Sequence, residues 1–323
     1  MKRFFVRSYR IAMAMILAAV VCLQAAALPS YLIPSGSTVG IKLYTKGLVV
    51  TKLDDGMAAQ AAGIRCGDAV TAANGRSVAS AQELRDVVQE CPNVVLTVCR
   101  EGKTAQFLLK PEQTDGQRLL GMHVRDSICG IGTVTYIDPE CGTFGALGHG
   151  VSDVCGKGLL KLDKGVLVAS DVTDVAKGQC GTPGTLHGSF DVSDVRGTVE
   201  KNSEHGIFGT ISRVTDKPAL PVAQSREVQT GDATILATVD GKAVTEFSVR
   251  IEKLYPDAHN GRDMLLRVSD ARLLAKTGGI VQGMSGSPII QDGKLVGAVT
   301  HVLVNDPTRG YGIFIENMLD AAG

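Results

Sequence analysis

The chain has 323 residues, which is enough for two domains and a sizeable core. Lysine plus arginine and aspartate plus glutamate each number 33, so the formal net charge is zero and no overall positive field favours nucleic acid. The 38 glycines, the absence of tryptophan and many Val, Ile and Thr clusters favour a mainly β protein with tight turns.

The N-terminus predicts a targeting segment over residues 1–30. Lys2, Arg3, Arg7 and Arg10 precede the apolar run Ile11–Leu23, and small residues follow at positions 25–27. This order is typical of a secretory signal peptide, and the run is long enough that an uncleaved signal anchor is an open alternative. In either case we expect the rest of the chain to lie outside the cytoplasm, secreted or associated with the membrane.

Seven cysteines follow the apolar run, and because the number is odd at least one cannot pair within the chain. No pair of cysteines or histidines has the spacing of a zinc site, and no calcium loop is complete. We therefore expect no metal and no cofactor.

Residues 37–112 indicate one small domain. Asn74-Gly75 between short apolar runs predicts a hairpin turn, and an apolar face over Ala81–Glu90 predicts a helix. Two further strands are predicted at Val94–Arg100 and Thr104–Leu109. Gln113–Gln117 is polar and rich in turn residues, and we expect it to be a linker.

The order "DDGMAAQAAGI…GDAVTAANG" resembles a PDZ domain. Such a domain binds an extended peptide as an added strand. The resemblance implies that the loop Val39, Gly40, Ile41 and Lys42 holds the terminal carboxylate of a peptide with its backbone amides. A β-rich spacer without a ligand is the alternative.

Residues 118–323 indicate a second, mainly β domain. His149 lies between two glycines directly after a short apolar strand, which gives a proton shuttle both a bent backbone and solvent access. His301, at the end of a strand close to the C-terminus, is the rival base. A two-residue hairpin turn is predicted at Asp240-Gly241.

The segment "GGIVQGMSGSPII" places Ser285 between glycines on a turn between two apolar runs. This pattern presents a nucleophilic hydroxyl while the backbone is left free to bind an oxyanion. Ser287 is the rival nucleophile, but the following proline restricts its backbone to extended geometry. A Gly-rich turn with incidental serines is the alternative interpretation.

Asp270 follows a predicted strand and precedes a short helical turn. The residue is a good helix N-cap, and it is also a candidate for the buried carboxylate that orients a catalytic histidine. The sequence leaves both roles open.

"FGALGHGVSD" and "TGGIVQGMSGSPIIQDGKLVGAVTHVLVNDPTRGYGIFIE", together with the upstream PDZ-like segment, resemble the stage IV sporulation protein B family of serine peptidases. The resemblance implies a chymotrypsin-like double β-barrel over residues 118–323. It also implies a triad of His149, Asp270 and Ser285, with an oxyanion hole formed by the amides of Gly283 and Ser285.

The same resemblance implies a sporulation endopeptidase that is exported from the forespore. Its expected partners are protein or peptide substrates, including itself and a membrane-bound regulator whose cleavage activates sigma factor K. A non-enzymatic PDZ adaptor is one alternative. A general extracytoplasmic quality-control protease is another, although in that class the PDZ domains follow the protease domain.

Overall fold

The computed structural model describes residues 29–153, 158–258 and 260–323. The predicted targeting segment at residues 1–30 lies almost entirely outside them. None of the helices in the described ranges is long and apolar enough to cross a membrane. The cysteines in those ranges are all unpaired: Cys66, Cys91, Cys99, Cys129, Cys141 and Cys180.

The described residues form mostly antiparallel strands with a few short helices. In chain order the elements are β1 (Tyr31–Pro34), β2 (Thr38–Leu53), α1 (Ala58–Ala61), β3 (Ala69–Ala73), β4 (Arg76–Ser77), α2 (Ala81–Glu90), β5 (Val94–Arg100), β6 (Lys103–Leu109), β7 (Glu112–Thr114), β8 (Gln117–Leu119), β9 (Met122–Ile137), β10 (Thr143–Ala146), β11 (Leu162–Ala176), β12 (Thr185–Ser203), β13 (Gly206–Ile211), β14 (Leu220–Pro221), a 3₁₀ turn (Ser225–Glu227), β15 (Gly231–Ala237), β16 (Thr245–Leu254), β17 (Met264–Val268), α3 (Ala271–Thr277), β18 (Pro288–Gln291), β19 (Lys294–Leu303), β20 (Asp306–Phe314) and α4 (Ile315–Ala322).

An N-terminal barrel closes because six strands pair antiparallel in a ring. The order around the ring is β2, β9, β10, β13, β12 and β11, and β11 pairs back onto β2. Alternate side chains of these strands point inward, so Ile41, Val134, Phe144 and Leu167 share one buried core. The chain leaves β10 at the rim of the barrel, and His149 follows there.

A C-terminal barrel closes in the order β15, β16, β17, β20, β19 and β18. Its core includes Ile235, Phe247, Ile251, Leu266 and Ile289. Together the two barrels form the predicted chymotrypsin-like double barrel, with mainly β structure as expected. Ser285 lies in the segment that joins α3 to β18.

The predicted turn at Asp240-Gly241 is wrong. β15 and β16 do pair, but their last partners are Ala237 and Thr245, so the connection is longer than two residues. Gly241 exchanges two backbone hydrogen bonds with Val172 of β11, at 2.9 and 3.0 Å. The connection is therefore shaped by a contact to the other barrel.

The PDZ domain is built from β3, β5 and β6, together with the second half of β2 and the first part of β9. The predicted helix is confirmed as α2, whose N-cap Ser80 accepts a hydrogen bond from the Glu83 amide at 3.2 Å. The predicted hairpin turn is also confirmed, because Asn74 and Gly75 join β3 to β4 with φ of 49° and 77°.

The PDZ domain is inserted into the N-terminal barrel, since β2 and β9 each run from one into the other. The two strands pair with each other on both sides of an irregularity between Tyr44 and Val49. The barrel therefore begins before the PDZ domain, not at residue 118. The expected linker Gln113–Gln117 falls within the β7–β8 hairpin.

This topology corrects the predicted peptide-binding loop. Val39, Gly40, Ile41 and Lys42 lie in the barrel half of β2 and pair with β9 on one edge and with β11 on the other. Both edges of this backbone are occupied, so its amides cannot hold a peptide carboxylate. The PDZ resemblance implied a loop here, but a local resemblance does not specify which strands the segment pairs with.

Candidate active site

The turn that carries Ser285 is fixed by glycines and by one threonine of the facing barrel. Gly286 has φ of 97°, and a Cβ there would lie 2.1 Å from the carbonyl oxygen of Thr133. The Thr133 amide donates to the Ser285 carbonyl at 3.1 Å, and the Thr133 hydroxyl donates to the Gly283 carbonyl at 2.8 Å. Strand β9 therefore holds the nucleophile turn on both sides of Met284.

The two candidate serines differ sharply in exposure. Ser285 is partly exposed, and its Oγ donates to the Thr300 carbonyl at 2.7 Å. Ser287 is 0% exposed, and its buried hydroxyl has no hydrogen-bond partner in the described part of the chain. Because a substrate cannot reach Ser287, the structure favours Ser285 as the nucleophile.

The amides of Gly283 and Ser285 are available to a ligand. Neither N–H donates a backbone hydrogen bond to an acceptor in the part of the chain that the structure describes. Gly283 has φ of 100°, in the range that favours glycine. These are the two donors that the sequence predicts for an oxyanion hole.

His149 reaches the junction of the barrels through a bent connection, with φ of 70° at Leu147 and 68° at Gly148. Its Nδ1 lies 3.0 Å from the Gly150 carbonyl. Since a carbonyl can only accept, Nδ1 carries the proton and Nε2 keeps its lone pair. Burial lowers the pKa of His149, so the ring is neutral and able to act as a base at neutral pH.

A second imidazole faces the first. The ring centroids of His149 and His301 are 5.1 Å apart, so the structure brings the predicted base and its rival together. Burial, with smaller contributions from His149 and Arg262, lowers the pKa of His301 to about 4. The buried Nδ1 of His301 has no hydrogen-bond partner in the described residues.

Ser285 and His149 line one cavity of about 400 Å³ between the two barrels. Among the described residues its wall has no carboxylate, lysine or arginine, and it is formed by Ile41, Leu43, Ile128, Cys129, Gly130, Ile131, Leu147, His149, Val151, Ile280, Val281, Gln282, Gly283, Ser285, Thr300, His301 and Val302. Within the described residues no group of three metal-ligating side chains converges. The chemistry available among the described lining residues is therefore that of hydroxyls, imidazoles, the Cys129 thiol and side-chain or backbone amides.

Asp270 stands apart from this cavity and caps α3. Its carboxylate accepts hydrogen bonds from the amides of Arg272 at 2.8 Å, Leu273 at 3.4 Å and Ser248 at 3.2 Å. The Arg272 guanidinium also donates to it, at 2.7 Å, and this bond with those amides holds the pKa of Asp270 well below its usual range. In the described residues Asp270 neither lines the cavity nor contacts His149. The structure therefore gives Asp270 the N-cap role, and the contact that a triad requires is not made.

Several residues of the site were not predicted from the sequence. Thr300 accepts from the Ser285 hydroxyl with its backbone carbonyl, and Thr133 donates to the Ser285 turn from the other barrel. Neither contact leaves a signal in the local sequence. Gly150 occupies the position at His149 that the predicted acid would take.

A serine and a histidine that line one cavity between two six-stranded antiparallel barrels are the arrangement of a chymotrypsin-like serine peptidase, here with a PDZ domain inserted in its first barrel. The chain belongs to the SpoIVB peptidase S55 family, whose model matches residues 116–319. A PDZ domain model matches residues 49–100. The protein is therefore a serine endopeptidase.

Solved structures of both domain types are similar to parts of the chain. The PDZ domain of the SdrC-like protein from Listeria monocytogenes is 23% identical, with coverage of 25% of this chain and 90% of that chain and a TM-score of 0.24. The Rv3671c protease from M. tuberculosis in its active form is 18% identical, with coverage of 62% and 75% and a TM-score of 0.33. The HtrA-type protease AlgW with a decapeptide is 13% identical, with coverage of 65% and 54% and a TM-score of 0.35. No curated protein matches the chain.

Proposed function

We propose that Ser285 is the nucleophile and His149 the general base of peptide-bond hydrolysis. In this step Ser285 Oγ leaves the Thr300 carbonyl for Nε2 of His149, which lines the same cavity. His149 then accepts the proton as Oγ attacks the scissile carbonyl, and returns it to the leaving amine. Water hydrolyses the resulting acyl-enzyme by the same steps.

The developing oxyanion is bound by the amides of Gly283 and Ser285. One such donor contributes about 3 kcal/mol to transition-state stabilisation in serine peptidases. The support for this assignment is that both amides lack an acceptor in the described part of the chain and that Thr133 holds the carbonyls of the same two residues. The donors are thus oriented before substrate binds.

The orienting role at His149 is taken by the Gly150 carbonyl. A neutral carbonyl fixes the imidazole tautomer but stabilises the imidazolium less than a carboxylate does. Asp270 affects catalysis indirectly, because it caps α3 and α3 leads directly into the segment that carries Ser285.

The observation that carries this proposal is the convergence of Ser285 and His149, from separate barrels, on one cavity. The test is hydrolysis of an unfolded protein such as casein by Ser285→Ala, His149→Ala and Ser287→Ala proteins. The first two variants lose activity by a factor of at least about 10³. The matched control Ser287→Ala retains it, because Ser287 is buried and its hydroxyl has no partner among the described residues. Full activity of Ser285→Ala contradicts the assignment.

We further propose, on the support of family membership, that the peptidase acts in sporulation. It is exported from the forespore through its N-terminal segment and works between the forespore and mother-cell membranes. There it cleaves itself and a membrane-bound regulator of the protease that activates sigma factor K. In an endospore former lacking its own enzyme, the unaltered gene restores heat-resistant spores and processed sigma factor K, whereas the Ser285→Ala gene does not. Equal rescue by both genes contradicts the proposal.

A further inference from the structure

Two imidazoles from different barrels face each other in the catalytic cavity. His149 follows β10 of the N-terminal barrel, His301 lies in β19 of the C-terminal barrel, and both line the cavity. Their ring centroids are 5.1 Å apart, and the ring planes are tilted by 38°. The proposed hydrolysis uses His149 alone, so it gives His301 no task. The two residues are far apart in the sequence, so local ligand spacing does not detect a pair of this kind.

Each ring has a nitrogen that is free to bind a ligand in the part of the chain that the structure describes. Nδ1 of His149 is held by the Gly150 carbonyl at 3.0 Å, which leaves the lone pair on Nε2. The buried Nδ1 of His301 has no partner there. Buried polar atoms are nearly always paired, so this nitrogen indicates a position built for a ligand. Burial lowers the pKa of both rings, which keeps them in the neutral form that binds metal ions.

The separation of the two rings is that of two histidines bound to one zinc ion. A Zn–N bond of about 2.0–2.1 Å places the ion about 3.2 Å from the centroid of each imidazole. At the tetrahedral angle, two such rings have centroids about 5.2 Å apart, and the observed separation is 5.1 Å. The pair can therefore hold one ion without a change in the distance between the barrels.

We propose that His149 and His301 form an inhibitory zinc site, in which one Zn²⁺ ion binds reversibly to Nε2 of His149 and to the imidazole of His301. Water from the cavity completes the coordination, because no third histidine, cysteine, aspartate or glutamate converges there among the described residues. The bound ion occupies the lone pair that must accept the proton of Ser285, so hydrolysis stops. The inhibition rests on the proposed function of His149, whereas binding of the ion does not.

The ligand set determines which ion binds and how tightly. Imidazole nitrogens suit Zn²⁺, whereas Mg²⁺ and Ca²⁺ require oxygen ligands. Structural zinc sites have four protein ligands, and this site has two neutral ones. The positive charge of Arg262, which contributes to the lowered pKa of His301, also opposes a cation. The site is therefore weak enough for the ion to leave, as reversible inhibition requires.

The inhibition is measured as kcat/KM on a quenched peptide at increasing Zn²⁺, with each variant compared to its own rate without zinc. Saturating Zn²⁺ lowers kcat/KM of the unaltered protein by a factor of at least about 100, which is the contribution of a general base. EDTA restores the rate, and Mg²⁺ or Ca²⁺ at the same concentration has no effect. In His301→Ala the half-inhibitory zinc concentration rises at least about tenfold, because one of two ligands is lost. The matched control His205→Ala keeps the original value, since His205 also has a buried nitrogen without a described partner but lies outside the cavity wall.

Binding of the ion is tested separately from catalysis, by isothermal titration of the Ser285→Ala protein with Zn²⁺. Adding His301→Ala to this protein removes one binding event, and thermal melting establishes that both proteins fold. Exposed thiols also bind zinc, and Cys129 lies in the cavity wall, so Cys129→Ser is measured as well and keeps the inhibition. Zinc binding that is unchanged by His301→Ala overturns the inference and leaves the peptidase function intact. So does inhibition that is lost in Cys129→Ser but kept in His301→Ala.

Discussion

Replacing Asp270 with asparagine separates the two roles that its position allows. Asparagine is as good an N-cap as aspartate, and its side-chain oxygen still accepts from the amides of Arg272 and Leu273. The substitution removes the negative charge, and with it the ion pair to Arg272, whose side chain is 68% exposed. An ion pair with such an exposed partner contributes about 0–1 kcal/mol.

The Ser248 amide also loses its acceptor when the asparagine NH2 replaces Oδ2, so the expected loss of stability is about 1–4 kcal/mol, and each kcal/mol lowers the melting temperature by about 2–4 °C for a domain of this size. Catalysis below the melting temperature stays within about threefold, because Asp270 does not contact His149. Loss of a carboxylate that orients the catalytic histidine instead slows turnover by a factor of about 10⁴. The two roles of Asp270 thus predict activities that differ by more than about three orders of magnitude.

The assay is kcat/KM at 25 °C on a quenched peptide, with the melting temperature measured on the same protein. Asp232→Asn is the control, since Asp232 also pairs with an arginine of the C-terminal barrel, Arg250 at 3.0 Å, but caps no helix. If Asp270→Asn slows turnover by a factor of about 10³ or more while melting is unchanged, the N-cap assignment is refuted and the triad is restored.

The remaining predictions concern the turn of Ser285 and its base. Thr133→Val removes the 2.8 Å hydrogen bond to the Gly283 carbonyl and loosens the oxyanion donors, so we expect kcat to fall about tenfold with KM little changed. An unchanged kcat counts against the proposal that β9 holds the Ser285 turn for catalysis. The pH profile of kcat/KM has its acid midpoint below 6.5, because burial lowers the pKa of His149 and the base must be neutral; a midpoint above about 7 contradicts this. Asp270 has a depressed pKa in the folded state, so its stabilising contribution is present at neutral pH and is lost as pH falls below the ordinary value of 3.8. Acid unfolding of Asp270→Asn lacks this component, whereas identical pH dependence in both proteins argues against it.

Local features were predictable because they depend on neighbouring residues alone. The helix α2 matches its predicted bounds, Ala81–Glu90, since its apolar spacing and Ser80 cap are local signals. The turn at Asn74-Gly75 was found for the same reason. The glycines that flank His149 and Ser285 indicated the bent, accessible backbone that a catalytic base and nucleophile require. The two residues line one cavity, as expected.

The errors came from contacts between segments that are distant in sequence. The PDZ resemblance implied a peptide-binding loop around Gly40, but the segment pairs with β9 and β11 and so is a strand of the barrel. Asp270 carries the same local signal as a cap or as a triad member, and only the tertiary structure separates them. Gly241 resembles a hairpin residue, yet its backbone bonds to β11.

Acylation of Ser285 by substrate is the step on which the assignment of the active site depends. It is probed most directly by mass spectrometric mapping of the adduct formed with a fluorophosphonate, which modifies activated serine hydroxyls. We expect a single adduct on Ser285, absent from the His149→Ala protein and unaffected in the Ser287→Ala protein. An adduct on Ser287 or on a serine outside the cavity contradicts the assignment.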